Sequence, residues 1–206
     1  MNMTEIQSDA GEIYAVVLAA GMSTRMGVPK MTLPWKGSTI LGTVLVTLRE
    51  AGVRRFRVVV GASREEVEQV LDGLAFPVER VFNPKYANGE MMDSIRAGLA
   101  NLNPEVRAAL LVLGDQPQLE AAVAAGLIDR FRQRSSNLIV PSYQMRRGHP
   151  WLVGRPLWEE LIYMDAGGTM RDFLNSHAGE IDYLIVDTDS ILHDLDTPED
   201  YRKAHG

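Results

Sequence analysis

Arg25 and Lys30 lie in the run Gly21-Met22-Ser23-Thr24-Arg25-Met26-Gly27-Val28-Pro29-Lys30, a loop of mostly small residues carrying two fixed cations. Their chemistry is that of a polyphosphate cradle. Small side chains at Ala19, Ala20, Gly21 and Ser23 let backbone N–H groups approach phosphate oxygens, while a forked guanidinium and a point-like ammonium neutralise the charge. A Walker loop needs Gly, four residues, then Gly-Lys-Ser/Thr, and a dinucleotide fingerprint needs Gly-x-Gly-x-x-Gly. This string reads Gly-x-Ser-x-Arg-Met-Gly-x-x-Lys and satisfies neither. Further along, Leu113-Gly114-Asp115-Gln116-Pro117 offers a carboxylate, which can meet a triphosphate only through a divalent cation. Mg²⁺, with its preference for hard oxygen ligands, suits that role. A plain turn is the competing reading of this segment, because Asp, Gly and Pro are all good turn residues.

Two buried strands must carry these groups. Ile13 to Leu18 and Ala108 to Leu113 are short apolar runs of the kind buried on both faces of a parallel sheet, and Gly21 is expected to supply the sharp turn after the first. Ligands gather at the carboxyl edge of such sheets, which would bring the loop and Asp115 together. Between them the pattern predicts a helix over Thr39–Ala51 capped by Ser38 or Thr39 and ended by Gly52, a strand over Arg57–Val60, a helix over Arg64–Leu71 and a strand over Val78–Phe82. Asn83-Pro84 then breaks the chain, and a helix is predicted over Met92–Leu102, beginning near Asp93 or Ser94. The β-α-β-α alternation implies a parallel sheet. Beyond Asp115 the pattern predicts helices over Glu120–Arg134, Pro156–Met164 and Thr169–His177, with strands at Leu138–Pro141, Tyr183–Val186 and Ile191–Leu195. A last helix begins at Thr197-Pro198-Glu199-Asp200, with Thr197 as its cap.

At 206 residues the chain suits one α/β domain over 1–206, and no repeat or low-complexity segment interrupts it. Residues 1–12 are polar and acidic, without the basic start and apolar stretch of a signal peptide, and read as a frayed tail. No apolar run approaches the roughly 20 residues that span a bilayer, so neither a membrane partner nor a location outside the cytoplasm is expected. Zero cysteines remove disulfides, thiolate metal sites and thiol nucleophiles. A net charge of −6 argues against nucleic acid as a partner, since neutralising a phosphate backbone takes a basic stripe. Arg54-Arg55-Phe56-Arg57 is too small a footprint for one and reads as a solvated connection.

The ordered motifs Leu18-Ala19-Ala20-Gly21 with Arg25 and Lys30, Leu113-Gly114-Asp115-Gln116-Pro117, and Asp194-Leu195-Asp196-Thr197-Pro198 give the sequence a resemblance to the MobA-like nucleotidyltransferases. These enzymes move a nucleoside monophosphate from a nucleoside triphosphate to a phosphorylated acceptor. With Arg147-Gly148-His149-Pro150 added, the pattern looks most like that of the molybdenum cofactor (molybdopterin) cytidylyltransferases. The resemblance implies a three-layer α/β/α Rossmann-like fold with a mostly parallel mixed sheet. It also implies Mg²⁺ as cofactor, CTP as donor, a phosphorylated small-molecule acceptor of molybdopterin type, and hand-over to a molybdoenzyme or its chaperone.

Carried onto this chain, the resemblance makes Arg25, Lys30 and Asp115 catalytic and Asp115 and Asp196 metal ligands. Asp194 either joins them or braces the turn. Leu18, Ala19, Ala20, Gly21, Ser23, Arg25, Lys30, Gly89, Ser94 and Asp115 would bind the nucleotide, and Arg147, Gly148 and His149 the acceptor. Asn83-Pro84-Lys85-Tyr86-Ala87-Asn88-Gly89 and Ser94-Ile95-Arg96-Ala97-Gly98 resemble elements that flank the nucleobase, but Glu90 follows Gly89 and puts Ser94 one residue later than the common spacing. Guanylyl-transferring relatives tend to carry Gly at the position of Ala20, so Ala20 favours CTP. Asp165-Ala166-Gly167-Gly168-Thr169-Met170-Arg171 matches a segment near the acceptor, or simply separates two helices. The same cradle would also serve a sugar phosphate or methylerythritol phosphate nucleotidyltransferase, or a non-catalytic nucleotide-binding protein. A dehydrogenase lacks support, because no Gly-x-Gly-x-x-Gly is present.

Overall fold

The apolar runs on either side of the predicted edge form the centre of one sheet. In the computed structural model, which describes residues 13–205 apart from 135 and 166, β1 (Ile13–Ala19) pairs in parallel with both β4 (Arg55–Val60) and β6 (Ala108–Leu113). The expected tail 1–12 lies outside the described residues. Two short strands, β2 (Pro34–Trp35) and β3 (Ser38–Thr39), make a separate hairpin. Outward from β4 comes β5 (Glu79–Phe82), also parallel. Beyond β6 lie β9 (Trp151–Gly154), β7 (Leu138–Tyr143) and β10 (Asp182–Ile185), and β8 (Arg146–Arg147) pairs with β7. The order is β10-β7-β9-β6-β1-β4-β5, with β9 antiparallel to both neighbours. The sheet is therefore mixed and mostly parallel.

Strand alternation divides the core into two layers. Val17, Val58 and Leu110 face one way, toward α1 (Ile40–Glu50), α2 (Arg64–Asp72) and α4 (Ala121–Arg134), through Leu41, Leu45, Val67, Leu127 and Phe131. Val16, Val59 and Leu111 face the other way, toward α3 (Met91–Leu99), α5 (Trp158–Tyr163) and α6 (Met170–Ser176), through Ile95, Leu99, Leu161 and Phe173. Complete burial of runs such as Ala15-Val16-Val17 follows from having helices on both faces. The last helix is α7 (Pro198–His205). Among the described residues no helix is long and apolar enough to cross a membrane.

Topology then fixes where a ligand can sit. From β1 the chain proceeds outward to β4 and β5 and returns to β6 on the opposite side of β1, so the crevice outside the carboxyl ends of β1 and β6 is a topological switch point. The two strand ends are fastened there, Gly114 N–H donating to Leu18 O at 3.0 Å. A side chain at Gly114 would meet that same oxygen at 2.9 Å, which requires glycine.

Several local expectations are corrected. Arg55, Phe56 and Arg57 belong to β4, and Arg57 is buried: it pairs with Glu79 at 2.8 Å and donates to the Gly98 and Ala100 carbonyls at 3.2 and 2.7 Å, satisfying the end of α3. That helix ends at Leu99 rather than Leu102, where Asn101 turns left-handed (φ 55°). It starts one residue early, because Glu90 takes the N-cap position and its N–H donates to the Asp93 carboxylate at 3.2 Å. Pro156 falls in a 3₁₀ turn, and α5 begins only at Trp158. Ile191–Leu195 is no strand: a 3₁₀ turn covers Ser190–Leu192, and the backbone groups there bond to loops, His149 N–H to Ile191 O and Leu195 N–H to Asp115 O. The antiparallel β8 and β9 have no counterpart among the predicted strands, since Arg146 to Pro150 shows no alternating apolar pattern and the apolar run after it is only three residues long.

Replacing Arg57 by Met should leave two helix-end carbonyls without a donor and lower unfolding stability by about 2 to 3 kcal/mol, measured by urea denaturation. Unchanged stability would show that water replaces the guanidinium at no cost.

Candidate active site

The loop after β1 presents unengaged donors. Among the described residues, the backbone N–H groups of residues 21–25 bond to no carbonyl, while those of Met26 and Gly27 close the turn on Ser23 O at 3.0 Å each. The sharp turn lies at Ser23 (φ 52°) and Gly27 (φ 74°), not at Gly21 as the sequence suggested. Gly21 instead borders open space, with nothing within 4 Å of where a side chain would begin. Ser23 steers the loop by accepting the Lys30 N–H on its Oγ at 3.3 Å, which sets Lys30 at the head of a 3₁₀ turn over Lys30–Thr32.

From that position Lys30 reaches two carboxylates from distant parts of the chain. Its Nζ lies 2.5 Å from Asp115 Oδ2 and 3.0 Å from Asp196 Oδ1, and Arg25 donates to Asp196 Oδ2 at 2.8 Å. Burial alone would push the Lys30 ammonium down; Asp115, then Asp196, outweigh it and hold its pKa above the usual lysine value. The backbone bond from Leu195 to Asp115 O brings the segments together. Asp194 faces elsewhere, accepting from the buried Gln116 Nε2 at 2.7 Å, and its carboxyl is raised by burial and by Asp115 and Asp196, against the Gln116 bond and Lys30. Gln116 is thus a brace for the Asp194–Asp196 segment. Only its place in the Gly-Asp-Gln-Pro run marked it in the sequence.

Lys30 and Arg25 are both engaged by carboxylates in this cluster, with the Asp194 carboxyl beside them. A divalent ion on Asp115 and Asp196 would free Lys30 and Arg25 for phosphate. The residues present fit such an ion: both carboxylates already converge on one cationic atom. Among the described residues no group of three or more His, Cys, Asp or Glu gathers as a metal site, and a two-carboxylate site completed by phosphate oxygens is the usual arrangement for Mg²⁺.

One cavity borders the cluster, and a second adjoins the first. The smaller, about 200 Å³, is lined by Leu18, Ala20, Gly21, Lys30, Gly89, Ser94 and Asp115, together with Asn83, Tyr86, Glu90 and Met91. Ser94 reaches it despite its shifted spacing, because the additional residue is taken up as the cap of α3; its Oγ accepts from Asn83 Nδ2 at 3.1 Å. Ala19 instead packs into the core beside Met31. The larger cavity, about 640 Å³, shares Glu90 and Met91 with the first and is lined by Arg147 of β8, His149 of the link that follows it and Trp151 of β9, and by Thr169, Met170, Arg171 and Asn175 around α6. Of these, Trp151 and Asn175 were missed in the sequence.

Arg147 is held by Tyr183 Oη at 2.9 Å and Asn175 Oδ1 at 3.2 Å. Gly148 is a packing position: a side chain there would strike Ile191 O at 2.3 Å. His149 stacks on Trp151 at 4.0 Å, and burial drives its pKa down to about 4, against a hydrogen bond with the Leu111 backbone. It is neutral at physiological pH and contributes a ring face rather than a charge.

The family of MobA-like NTP transferase domains matches residues 15–181. The chain belongs to that family. This MobA-like transferase is 30% identical over 196 residues to the molybdenum cofactor cytidylyltransferase of Escherichia coli K12, covering 93% of this chain and 95% of that one. It is also 30% identical over 196 residues to the nicotine blue oxidoreductase of Paenarthrobacter nicotinovorans, covering 91% and 93%. Among solved structures, Rv0371c of Mycobacterium tuberculosis H37Rv superposes with a TM-score of 0.80 at 31% identity, covering 95% of this chain and 98% of that one, and it has also been solved in complex with manganese.

An imidazole held at about 4, against 6.5 when unfolded, binds fewer protons in the folded chain, so stability falls as pH drops through that interval. At pH 5 the loss attributable to His149 is about 2 kcal/mol. Urea denaturation at pH 7.5 and pH 5 should show that His149→Phe shrinks the difference between the two by about that amount; an unchanged difference would refute the buried neutral imidazole.

Proposed function

We propose that this nucleotidyltransferase moves CMP from CTP to a phosphorylated acceptor of molybdopterin type, with Mg²⁺ as the divalent cation and pyrophosphate as the leaving group. The observation that carries this reading is the meeting of Lys30, Asp115, Asp196 and Arg25, the first two of them in the wall of a pocket that opens beside a second cavity. An acceptor phosphate oxygen from the larger cavity attacks the α-phosphorus in line, the bond to the bridging oxygen breaks, and pyrophosphate leaves. No protein nucleophile is required. Lys30 stabilises charge on the α-phosphate, Arg25 holds the outer phosphates, and the N–H groups of residues 21–25 orient the chain of phosphates. A bound divalent cation supplies further charge neutralisation, and Asp115 and Asp196 would hold it. Arg147 serves the anionic acceptor, and the stacked His149 and Trp151 rings offer its planar part a face.

Preference for CTP rests on Ala20, whose buried methyl narrows the pocket beside Gly21. The Paenarthrobacter relative's name gives the competing chemistry, a redox reaction on the same fold.

Pyrophosphate release should occur with CTP, Mg²⁺ and the acceptor, and Asp115→Asn should reduce it at least about a hundredfold while leaving the melting temperature within a few degrees. No release with CTP, GTP, ATP or UTP would overturn the assignment. Ala20→Gly should raise kcat/KM for GTP relative to CTP by roughly tenfold, the scale of one methyl in a fitted pocket. A ratio that does not move would place base selection elsewhere.

A further inference from the structure

A small apolar cluster of Trp35, Ile40 and Leu195, joined by Leu33 and Tyr201, stands apart from both main core layers. It ties together the two chain segments that flank the ion cluster. On one side the chain runs from Lys30 through its 3₁₀ turn to β2, where Trp35 is 1% exposed. On the other it runs from Asp196 directly into α7, whose first turn is fixed by reciprocal bonds between Thr197 and Asp200. No residue of α7 is fully buried, so the contact with Trp35 fastens the helix. Tyr201 Oη donates to Pro34 O at 2.7 Å, and the Tyr201 and His205 rings lie 6.2 and 5.7 Å from the Trp35 ring. All of α7 lies beyond the stretch matched by the family.

Without substrate, Asp196 is placed by its bonds to Lys30 and Arg25. When phosphates draw those cations away, both bonds weaken. What then keeps the carboxylate in register is the backbone on either side of it: Leu195 N–H on Asp115 O before, and α7 after. We propose that the clamp of Tyr201 on β2 is a positioning device, holding Asp196 opposite Asp115 as a cation ligand once substrate has taken Lys30 and Arg25. This rests on the reading of Asp115 and Asp196 as the metal ligands. Tyr201 touches neither substrate nor metal and acts through Asp196.

The test is binding of Mn²⁺ to the protein in the presence of saturating CTP, without acceptor, followed by the enhancement of water proton relaxation, which separates protein-bound ion from ion held by free CTP. Tyr201→Ala should weaken binding about tenfold, the scale for a group that orients a metal ligand, and Tyr201→Phe, which loses only the bond to Pro34, by less. Asp196→Asn should weaken it at least as much, and adding Tyr201→Ala to Asp196→Asn should cost nothing more, because the two act along one route. Thermal melts select a temperature at which every variant is folded; if Tyr201→Ala does not fold, Tyr201→Phe carries the same comparison. Wild-type affinity in the tyrosine variants, or a loss that recurs undiminished beside Asp196→Asn, overturns the proposal. Tight binding that survives Asp115→Asn overturns the metal-site reading itself, and the clamp with it.

Discussion

One ammonium group shared by two carboxylates organises this molecule's functional edge. Lys30 is largely withdrawn from water, and an ammonium so placed is costly unless it is closely paired. Asp115 and Asp196 supply the pairing from positions 85 and 166 residues away in sequence. The turn at Ser23, the close approach of Gly114 to Leu18 and the backbone bond from Leu195 to Asp115 all serve to bring these three side chains within reach of one another. Each charged side chain of the cluster has a partner, Lys30 and Arg25 in Asp115 and Asp196, and Asp194 in Gln116.

Beside that cluster the fold keeps two cavities apart. The ends of β1 and β6, the loop after β1, the link that follows β5 and the start of α3 line the smaller pocket, where small residues stand beside Lys30 and Asp115. The part made of β8, β9 and α6 lines the larger cavity, where cations, an aromatic stack and apolar side chains meet. The antiparallel β9 is what makes this division possible. By sitting between β6 and β7 it carries His149 and Trp151 to the same face as α6, which a purely parallel continuation of the sheet would not do. Glu90 and Met91, at the start of α3, form the wall that both cavities share.

Much of this was legible in the sequence. Runs such as Val16-Val17-Leu18 and Leu110-Leu111-Val112 are unambiguous because helices cover both faces of the sheet, and the loop after β1 stands out through residue types whose chemistry is local. Asp115 could be placed at the functional edge because it follows a buried strand. The extent of α3 was misjudged at both ends, since a glutamate as cap and an asparagine as terminator leave weak local signals. Arg57 was read as solvated because a charged residue before an apolar run ordinarily is; only the arrival of Glu79 and the end of α3 made its burial tolerable.

The sequence by itself determined the buried parallel strands at the centre of the sheet, the glycine-containing loop after the first of them and the family, because each depends on residue type and short-range spacing. Tertiary structure alone decided that Lys30 is the shared partner of Asp115 and Asp196, that Asp194 turns away to Gln116, that His149 is neutral, and that α7 is fastened to β2. Those outcomes depend on distance, burial and the company of side chains far apart in the chain, and no local pattern encodes them.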